Sequence, residues 1–135
     1  MGNIIKELLI ISFLIITIDV VVLSSLSKLW KDTIEKVQKK TFIPKIHYAI
    51  ASYILIVLGQ YYFVFRHIKH ANWVNDSLLN GFLFGFVLYG VFDFTNLAIF
   101  TDYPLFTATV DMMWGGILMA ITSLISYYIL EVVKI

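Results

Sequence analysis

Long apolar runs, separated by short polar stretches, dominate the pattern of hydrophobic and polar positions along the chain. Four runs reach the roughly 20 residues that a helix needs to cross the hydrocarbon core of a bilayer. They lie at about residues 8–29, 46–65, 78–100 and 104–130. Because lipid cannot satisfy an open backbone, each run is predicted to be a spanning helix. The short connections predict an all-α fold, a four-transmembrane-helix up-down bundle, with residues 1–135 as a single integral membrane domain.

The first run lies where a secretory signal peptide would lie, but it is too long for the apolar region of one. It contains Asp19 and leads into lysines instead of a mature domain, so we expect an uncleaved spanning helix. The loop that follows, at about residues 28–45, is the main charge run of the chain. Asp32 and Glu35 among its lysines predict a short amphipathic helix before Pro44, lying on anionic lipid head groups.

Composition supports a membrane protein. Of the 135 residues 60% are apolar and only 14% are charged, with a mean hydropathy of +0.87, whereas a soluble domain carries about 25% charged residues. The net charge of +1 argues against a nucleic-acid partner. The absence of cysteine excludes a disulfide framework, a thiolate nucleophile and a zinc site of the cysteine type. We expect the lipid bilayer as the main partner, and no cofactor.

Basic residues predict the orientation of the bundle. With four helices, the first and third loops share one side of the membrane, and the termini share the other side with the second loop. The first loop has six lysines, against four basic residues on the other side, namely Lys6, Arg66, Lys69 and Lys134. The positive-inside rule therefore predicts a cytoplasmic first loop, with both termini outside.

Aromatic residues cluster near the predicted helix ends. An amphipathic ring is favoured at the membrane interface, so these residues are predicted to form an interfacial belt. They are Trp30, Tyr48, Tyr61, Tyr62, Trp73, Tyr103, Tyr127 and Tyr128.

Three acidic residues lie well inside the apolar runs: Asp19, Asp93 and Asp111. An ionised carboxylate at the bilayer centre costs at least about 2.5–3.5 kcal/mol, so three of them need an explanation. Asp93 and Asp111 are each nine residues from Asp102 in the third loop, and Asp19 is nine residues before Lys28. Nine helical residues span roughly 13 Å. All three carboxyl groups are therefore predicted to meet near the midplane.

Helical periodicity places these acids on stripes of small and polar residues, which are predicted to face the bundle interior. The stripe of the third helix is Gly81, Gly85, Tyr89, Asp93 and Asn96, and that of the fourth is Thr107, Asp111, Gly115, Leu118, Thr122 and Ser126. Gly81 and Gly85 form a GxxxG pattern, which serves helix packing either within the monomer or between subunits. Gly115 is predicted to make room for a neighbouring helix beside Trp114.

Apart from Lys28 at the end of the first run, no lysine or arginine lies within the spans to neutralise the acids. The carboxyls must therefore be protonated, share protons with hydrogen-bond donors, or hold a cation. The predicted donors are Asn96, Thr95, Tyr89, Gln60 and Trp114. We predict an ion- or proton-binding site formed by Asp19, Asp93 and Asp111 with Asn96 and Thr95, supported by Tyr89, Trp114 and Gly115.

Several short motifs in the second half of the chain resemble one known family. They are Tyr89-Gly90, Asp93-Phe94-Thr95-Asn96-Leu97-Ala98, Pro104-Leu105 and Asp111-Met112-Met113-Trp114-Gly115. This pattern resembles a family of small four-helix membrane proteins of unknown function, found in bacteria and with relatives in large DNA viruses. The family also tends to carry Trp-Leu three residues after the first aspartate, where this chain has Val22-Leu23. The resemblance implies the fold and no activity.

Three functions stay open on the sequence alone. The first is a proton or cation site in a small transporter or channel, where a pathway through so thin a bundle favours a homo-oligomer. The second is a scaffold, neither enzyme nor transporter, in which the aspartates only join helices. The third, an intramembrane aspartyl enzyme, lacks the Gly-x-Gly-Asp motif of known examples. His67 and His70 beside Arg66 and Lys69 indicate a basic interface patch more than a metal site.

Overall fold

The computed structural model describes residues 3–135, and the regular structure within this range is entirely helical. Five α-helices follow one another along the chain. They are α1 (Ile4–Ser25), α2 (Ser27–Gln38), α3 (Ile46–Gly59), α4 (Trp73–Ile99) and α5 (Leu105–Tyr127).

Short irregular helical turns lengthen three of these helices. A π-helical turn, Gln60–Val64, and a 3₁₀ turn, Phe65–His67, continue α3. A 3₁₀ turn, His70–Asn72, leads into α4, and a second π-helical turn, Tyr128–Val132, continues α5. Four of the resulting stretches are long and apolar enough to cross a membrane. The predicted all-α fold with four such helices is therefore confirmed.

Two of the spanning helices begin several residues before the predicted runs: α1 begins at Ile4 instead of residue 8, and α4 begins at Trp73 instead of residue 78. The first begins at Ile4, where the Asn3 side chain accepts hydrogen bonds from the backbone N–H groups of Ile5 and Lys6. Such a cap satisfies otherwise unpaired donors at the first turn. Polar residues in the outer turns interrupt the hydropathy signal without ending the helix, which is why the sequence places these two starts too far inward. The predicted end of the first run, residue 29, lies too far outward, because α1 ends at Ser25 and α2 begins at Ser27.

The helices pack in chain order around the bundle, with α5 as the most buried of them. It contacts α4 along its length and α1 on its other side, while α3 packs on α1 and its π-helical extension reaches α4. The buried apolar core is drawn mainly from α1, the α3 stretch and α5, and includes Ile11, Ile15, Val57, Tyr61, Leu118 and Met119.

Glycines bring α4 and α5 into backbone contact. A Cβ atom added to Gly81 would lie 2.6 Å from the carbonyl oxygen of Met119, and one added to Gly85 would collide with the carbonyl group of Gly115. Gly81 and Gly85 thus lie inside the monomer, against α5. Their partners run in the opposite order along α5, so the two helices are antiparallel, and their register brings Asp93 and Asp111 together near the loop that joins them.

The amphipathic helix predicted in the first loop is confirmed as α2. Thr33 is its buried residue, and the Thr33 and Thr107 hydroxyls lie 2.9 Å apart, which ties α2 to the start of α5. The Lys39 amino group lies 4.0 Å from the Asp102 carboxylate. The first and third loops therefore meet at one end of the bundle, next to the end of α4 that carries Asp93.

Candidate functional site

The three membrane aspartates lie at equal distances from one end of the bundle. Asp19 is six residues before Ser25, Asp93 is six residues before Ile99, and Asp111 is six residues after Leu105. Six residues correspond to roughly 9 Å along a helix. The cluster thus lies on the α2 side of the helix midpoints, because the long helices extend further at the opposite end than the apolar runs indicate.

Asp93 is the most deeply buried of the three, with 0% of its surface exposed. Its Oδ1 accepts a hydrogen bond of 2.8 Å from the hydroxyl of Tyr103, in the loop between α4 and α5. Burial and this hydrogen bond raise the pKa of the Tyr103 phenol above its usual range, so the hydroxyl stays protonated and donates. The second oxygen of Asp93, Oδ2, is buried and has no donor among residues 3–135.

Asp111 lies across from Asp93 on α5, and the two carboxyl groups are close enough to interact electrostatically. Within the described part of the chain, no N–H or O–H group of another residue type donates to Asp111, whose surface is 7% exposed. Two ionised carboxylates at close range repel each other, and the repulsion is strong where little water screens it. The two carboxyl groups are therefore a candidate site for a shared proton.

Asp19 has a different environment, because each of its oxygens has a donor. The hydroxyl of Tyr53 on α3 donates to Oδ2 at 2.5 Å, and the indole Nε1 of Trp114 on α5 donates to Oδ1 at 2.8 Å. One carboxylate thus joins three helices. The Tyr89 side chain lies within electrostatic range of all three aspartates.

Glycine provides the space for Tyr89. A Cβ atom on Gly115 would collide with the Tyr89 ring, so only glycine one turn beyond Asp111 lets the ring pack against α5. The ring is half-buried between Asp19 and Asp111, and with both of them it lines a cavity at the surface of the bundle. The space at Gly115 thus lets the Tyr89 ring lie beside both the Asp111 carboxyl group and that of Asp19. Because the Asp19 carboxylate joins α1, α3 and α5, we call it the Asp19 hub.

The remaining predicted site residues occupy three different places. Asn96 is half-buried beside the Tyr103 hydroxyl. Thr95 is exposed on the outer face of α4. Gln60 is buried away from the aspartates, and its amide donates to the Met119 carbonyl oxygen at 2.9 Å and to Ser123 Oγ. Gln60 thus joins the α3 stretch to α5.

Sequence reasoning did not single out two hydroxyl donors of the cluster. The sequence predicts Tyr103 in the interfacial belt because it lies near a helix end. Tyr53 lies inside an apolar run, and nothing in the sequence distinguishes it from the apolar residues around it. Glu7 was also overlooked, although it is only 7% exposed. Its position four residues before Ile11 on the stripe that leads to Asp19 was the available signal.

The donor set limits what the cluster can hold. Among residues 3–135, no group of three or more His, Asp or Glu side chains is placed to bind a metal ion. A carboxyl pair surrounded by phenols offers few oxygen ligands for a divalent cation, which prefers six or more for Ca²⁺. Its chemistry suits a proton or a single positive charge.

Comparison with known proteins agrees with this description of the chain. The family "Predicted membrane protein (DUF2177)" matches residues 4–128, a range that includes all four long helices and the three aspartates. No curated protein and no solved structure matches the chain. The chain thus belongs to the DUF2177 family of predicted membrane proteins and is an integral, multi-pass membrane protein.

Proposed function

We propose that the Asp93–Asp111 pair is a reversible proton-binding site through which the protein moves or exchanges protons, or a small cation in their place, across the membrane. The observation that carries this proposal is the arrangement of Asp93. Its Oδ2 is buried without a donor among residues 3–135, and its carboxyl group lies within electrostatic range of that of Asp111. A carboxyl pair of this kind holds one proton because two adjacent charges in a poorly solvated site repel each other.

The contrast with Asp19 supports a functional role for the pair. A carboxylate that only joins helices gains most when both oxygens receive donors, as those of Asp19 do from Tyr53 and Trp114. Among the residues that the structure describes, Asp93 has a donor for only one of its oxygens and Asp111 has none, although unsatisfied buried polar groups are costly. A carboxyl group that must bind and release a proton needs an oxygen without a donor, because hydrogen bonds to both oxygens stabilise the ionised form and oppose protonation.

Neighbouring groups offer a path for the proton on the loop side. Tyr103 lies in the third loop and donates to Asp93, and a hydroxyl can accept one proton while giving up another. We infer that protons reach Asp93 from the loop end through Tyr103 and pass to Asp111. Asn96 orients Tyr103 and Asp19 acts as the third carboxylate, whereas Thr95, exposed on the outer face of α4, has no role in this path.

The positive-inside rule would make this loop end cytoplasmic. Because one bundle is thin, a complete pathway would favour a homo-oligomer.

Infrared difference spectroscopy of the protein in lipid bilayers tests this proposal directly. A protonated carboxyl has a C=O stretch distinct from that of a carboxylate, so we expect a band that changes with pH in the wild type. Asp93→Asn and Asp111→Asn should each remove or shift the band, because each breaks the pair. Asp102→Asn changes an exposed loop carboxylate and serves as the matched control.

Two outcomes of this experiment decide whether the Asp93–Asp111 pair is a reversible proton-binding site. A band that titrates and disappears in both pair variants, followed by loss of proton flux into vesicles, would support the proposal. Carboxyl bands that stay constant across pH and across a panel of monovalent cations would reject it.

The second candidate function is a scaffold in which the aspartates only hold the bundle together. The Asp19 hub favours it, because one side chain joins α1, α3 and α5. This candidate predicts that Asp111→Asn is tolerated in every assay whereas Asp111→Leu unfolds the bundle. Loss of proton flux in a folded Asp111→Asn variant would exclude it as the sole role.

A further inference from the structure

A groove on the outer surface of the bundle leads to Asp111. It lies between α3 and α4, with a volume of about 370 Å³, and α1 and α5 form its floor. Asp19, Tyr53, Tyr89 and Asp111 give it a polar floor. The groove therefore connects the carboxyl cluster with the surface of a membrane-spanning region.

The walls of the groove are apolar and face the lipid. They are formed by Leu55, Ile56, Leu88 and Phe92. Leu55 is 70% exposed and Phe92 is 57% exposed, and both lie within spanning stretches. The mouth of the groove thus opens sideways into the hydrocarbon, where a water-soluble ligand would not enter.

The groove has the charge of a cation site. Its lining includes two carboxyl groups and no lysine, arginine or histidine. Asp111 is more than nine-tenths buried, lines the groove, and receives no N–H or O–H donor from a residue that the structure describes. A positively charged group in the groove would supply the missing donor, and the rings of Tyr53 and Tyr89 would add cation–π attraction.

We propose that this groove binds hydrophobic ammonium compounds, which enter from the bilayer and place their charged nitrogen on Asp111. The apolar walls hold the body of the ligand, and the volume is within the range of about 300–1,000 Å³ that small-molecule sites occupy. This inference rests on the proposed function, because the bound ammonium ion replaces the proton that Asp93 and Asp111 share. One ammonium ion enters and one proton leaves to water, so the charge of the site is conserved.

Calorimetric titration of the full chain in lipid nanodiscs tests the inference, with empty nanodiscs as the blank. The probes are phenylbutylamine, which is charged at neutral pH, and phenylbutanol, which has the same apolar body without the charge. We expect saturable binding of the amine, at least about tenfold tighter than that of the alcohol, and proton release on binding. Equal binding of both probes would overturn the inference and identify an apolar crevice that lipid chains fill.

Two variants separate the groove from the carboxyl pair. Ser52 is exposed, lines the groove, and bonds only to a carbonyl of its own helix, so Ser52→Phe should block the groove without touching a carboxyl. Ser24 is likewise exposed and bonds to its own helix, but it does not line the groove, and Ser24→Phe is the matched control. We expect Ser52→Phe to weaken amine binding about tenfold or more, and Ser24→Phe to leave it unchanged.

The infrared band of the pair, measured on the same samples, distinguishes two kinds of failure. A band that titrates in a protein that binds no amine would reject the groove and leave the proton site standing. Amine binding to a protein whose carboxyl band does not change with pH would reject the proton site, and with it the exchange of a proton for the ammonium ion. Amine binding that persists in Ser52→Phe would place the ligand elsewhere and reject this inference.

Discussion

At the scale of single residues, three aspartates at one depth have two different environments. Asp19 receives a phenol and an indole donor, whereas Asp93 receives one phenol donor and lies within electrostatic range of the Asp111 carboxyl group. The sequence predicts all three as a set, because each interrupts an apolar run. It does not separate their roles, because the donors come from remote positions such as Tyr53 and Trp114.

Replacing Asp19 tests its role as the hub of three helices. Asp19→Leu removes the acceptor of two interhelical hydrogen bonds, each worth about 0.6 kcal/mol in membrane proteins, and leaves two donors unpaired. We therefore expect the free energy of unfolding to fall by about 1–3 kcal/mol in a denaturing-detergent titration. Thr17→Leu, at an exposed position of the same helix, is the control. Equal stability of the two variants would contradict the hub.

At the scale of helices, the interior faces of α4 and α5 are the most predictable part of the fold. Every member of the predicted α5 stripe is buried, from Thr107 to Ser126, and so are Gly81, Gly85 and Asp93 on α4. Small and polar residues at helical spacing stand out in apolar runs, so the sequence alone predicts which faces of α4 and α5 point into the bundle. The buried stripe of α1 is mixed, from Glu7 through Ile11 and Ile15 to Asp19, and its two isoleucines resemble those that face lipid.

The α4–α5 contact gives a prediction about glycines. Gly85→Ala should destabilise the bundle strongly, because its Cβ would collide with the backbone of Gly115 and force the helices apart. Gly90→Ala is the matched control on the same helix, since its Cβ would meet the flexible side chain of Met112 at 2.9 Å. Thermal unfolding in detergent should show a loss of about 2 kcal/mol or more for Gly85→Ala and a clearly smaller one for Gly90→Ala. Similar losses in both would mean that backbone contact does not hold these helices.

At the scale of the whole molecule, the bundle has two unlike ends. One end joins α2, the lysine-rich first loop and the third loop through the Thr33–Thr107 contact and the Lys39–Asp102 pair, and the carboxyl cluster lies one to two turns below it. At the other end the two terminal segments meet, where the Lys6 amino group donates to the carbonyl oxygen of Ile135. A proton arriving through Tyr103 therefore enters from the lysine-rich end, so the orientation of the bundle sets the direction of the proposed site.

Cysteine labelling determines that orientation, because the chain has no cysteine of its own. We expect Lys40→Cys and Thr101→Cys to react together with a membrane-impermeant maleimide, and Lys69→Cys in the second loop to react from the opposite side. In intact cells only Lys69→Cys should be labelled, since lysines concentrate on the cytoplasmic side. Labelling of the first two positions alone would reverse the orientation and place the entrance to Asp93 outside the cell. Labelling of Lys40→Cys and Lys69→Cys from one side would contradict a helix that crosses the membrane between them, and the four-span bundle would fail.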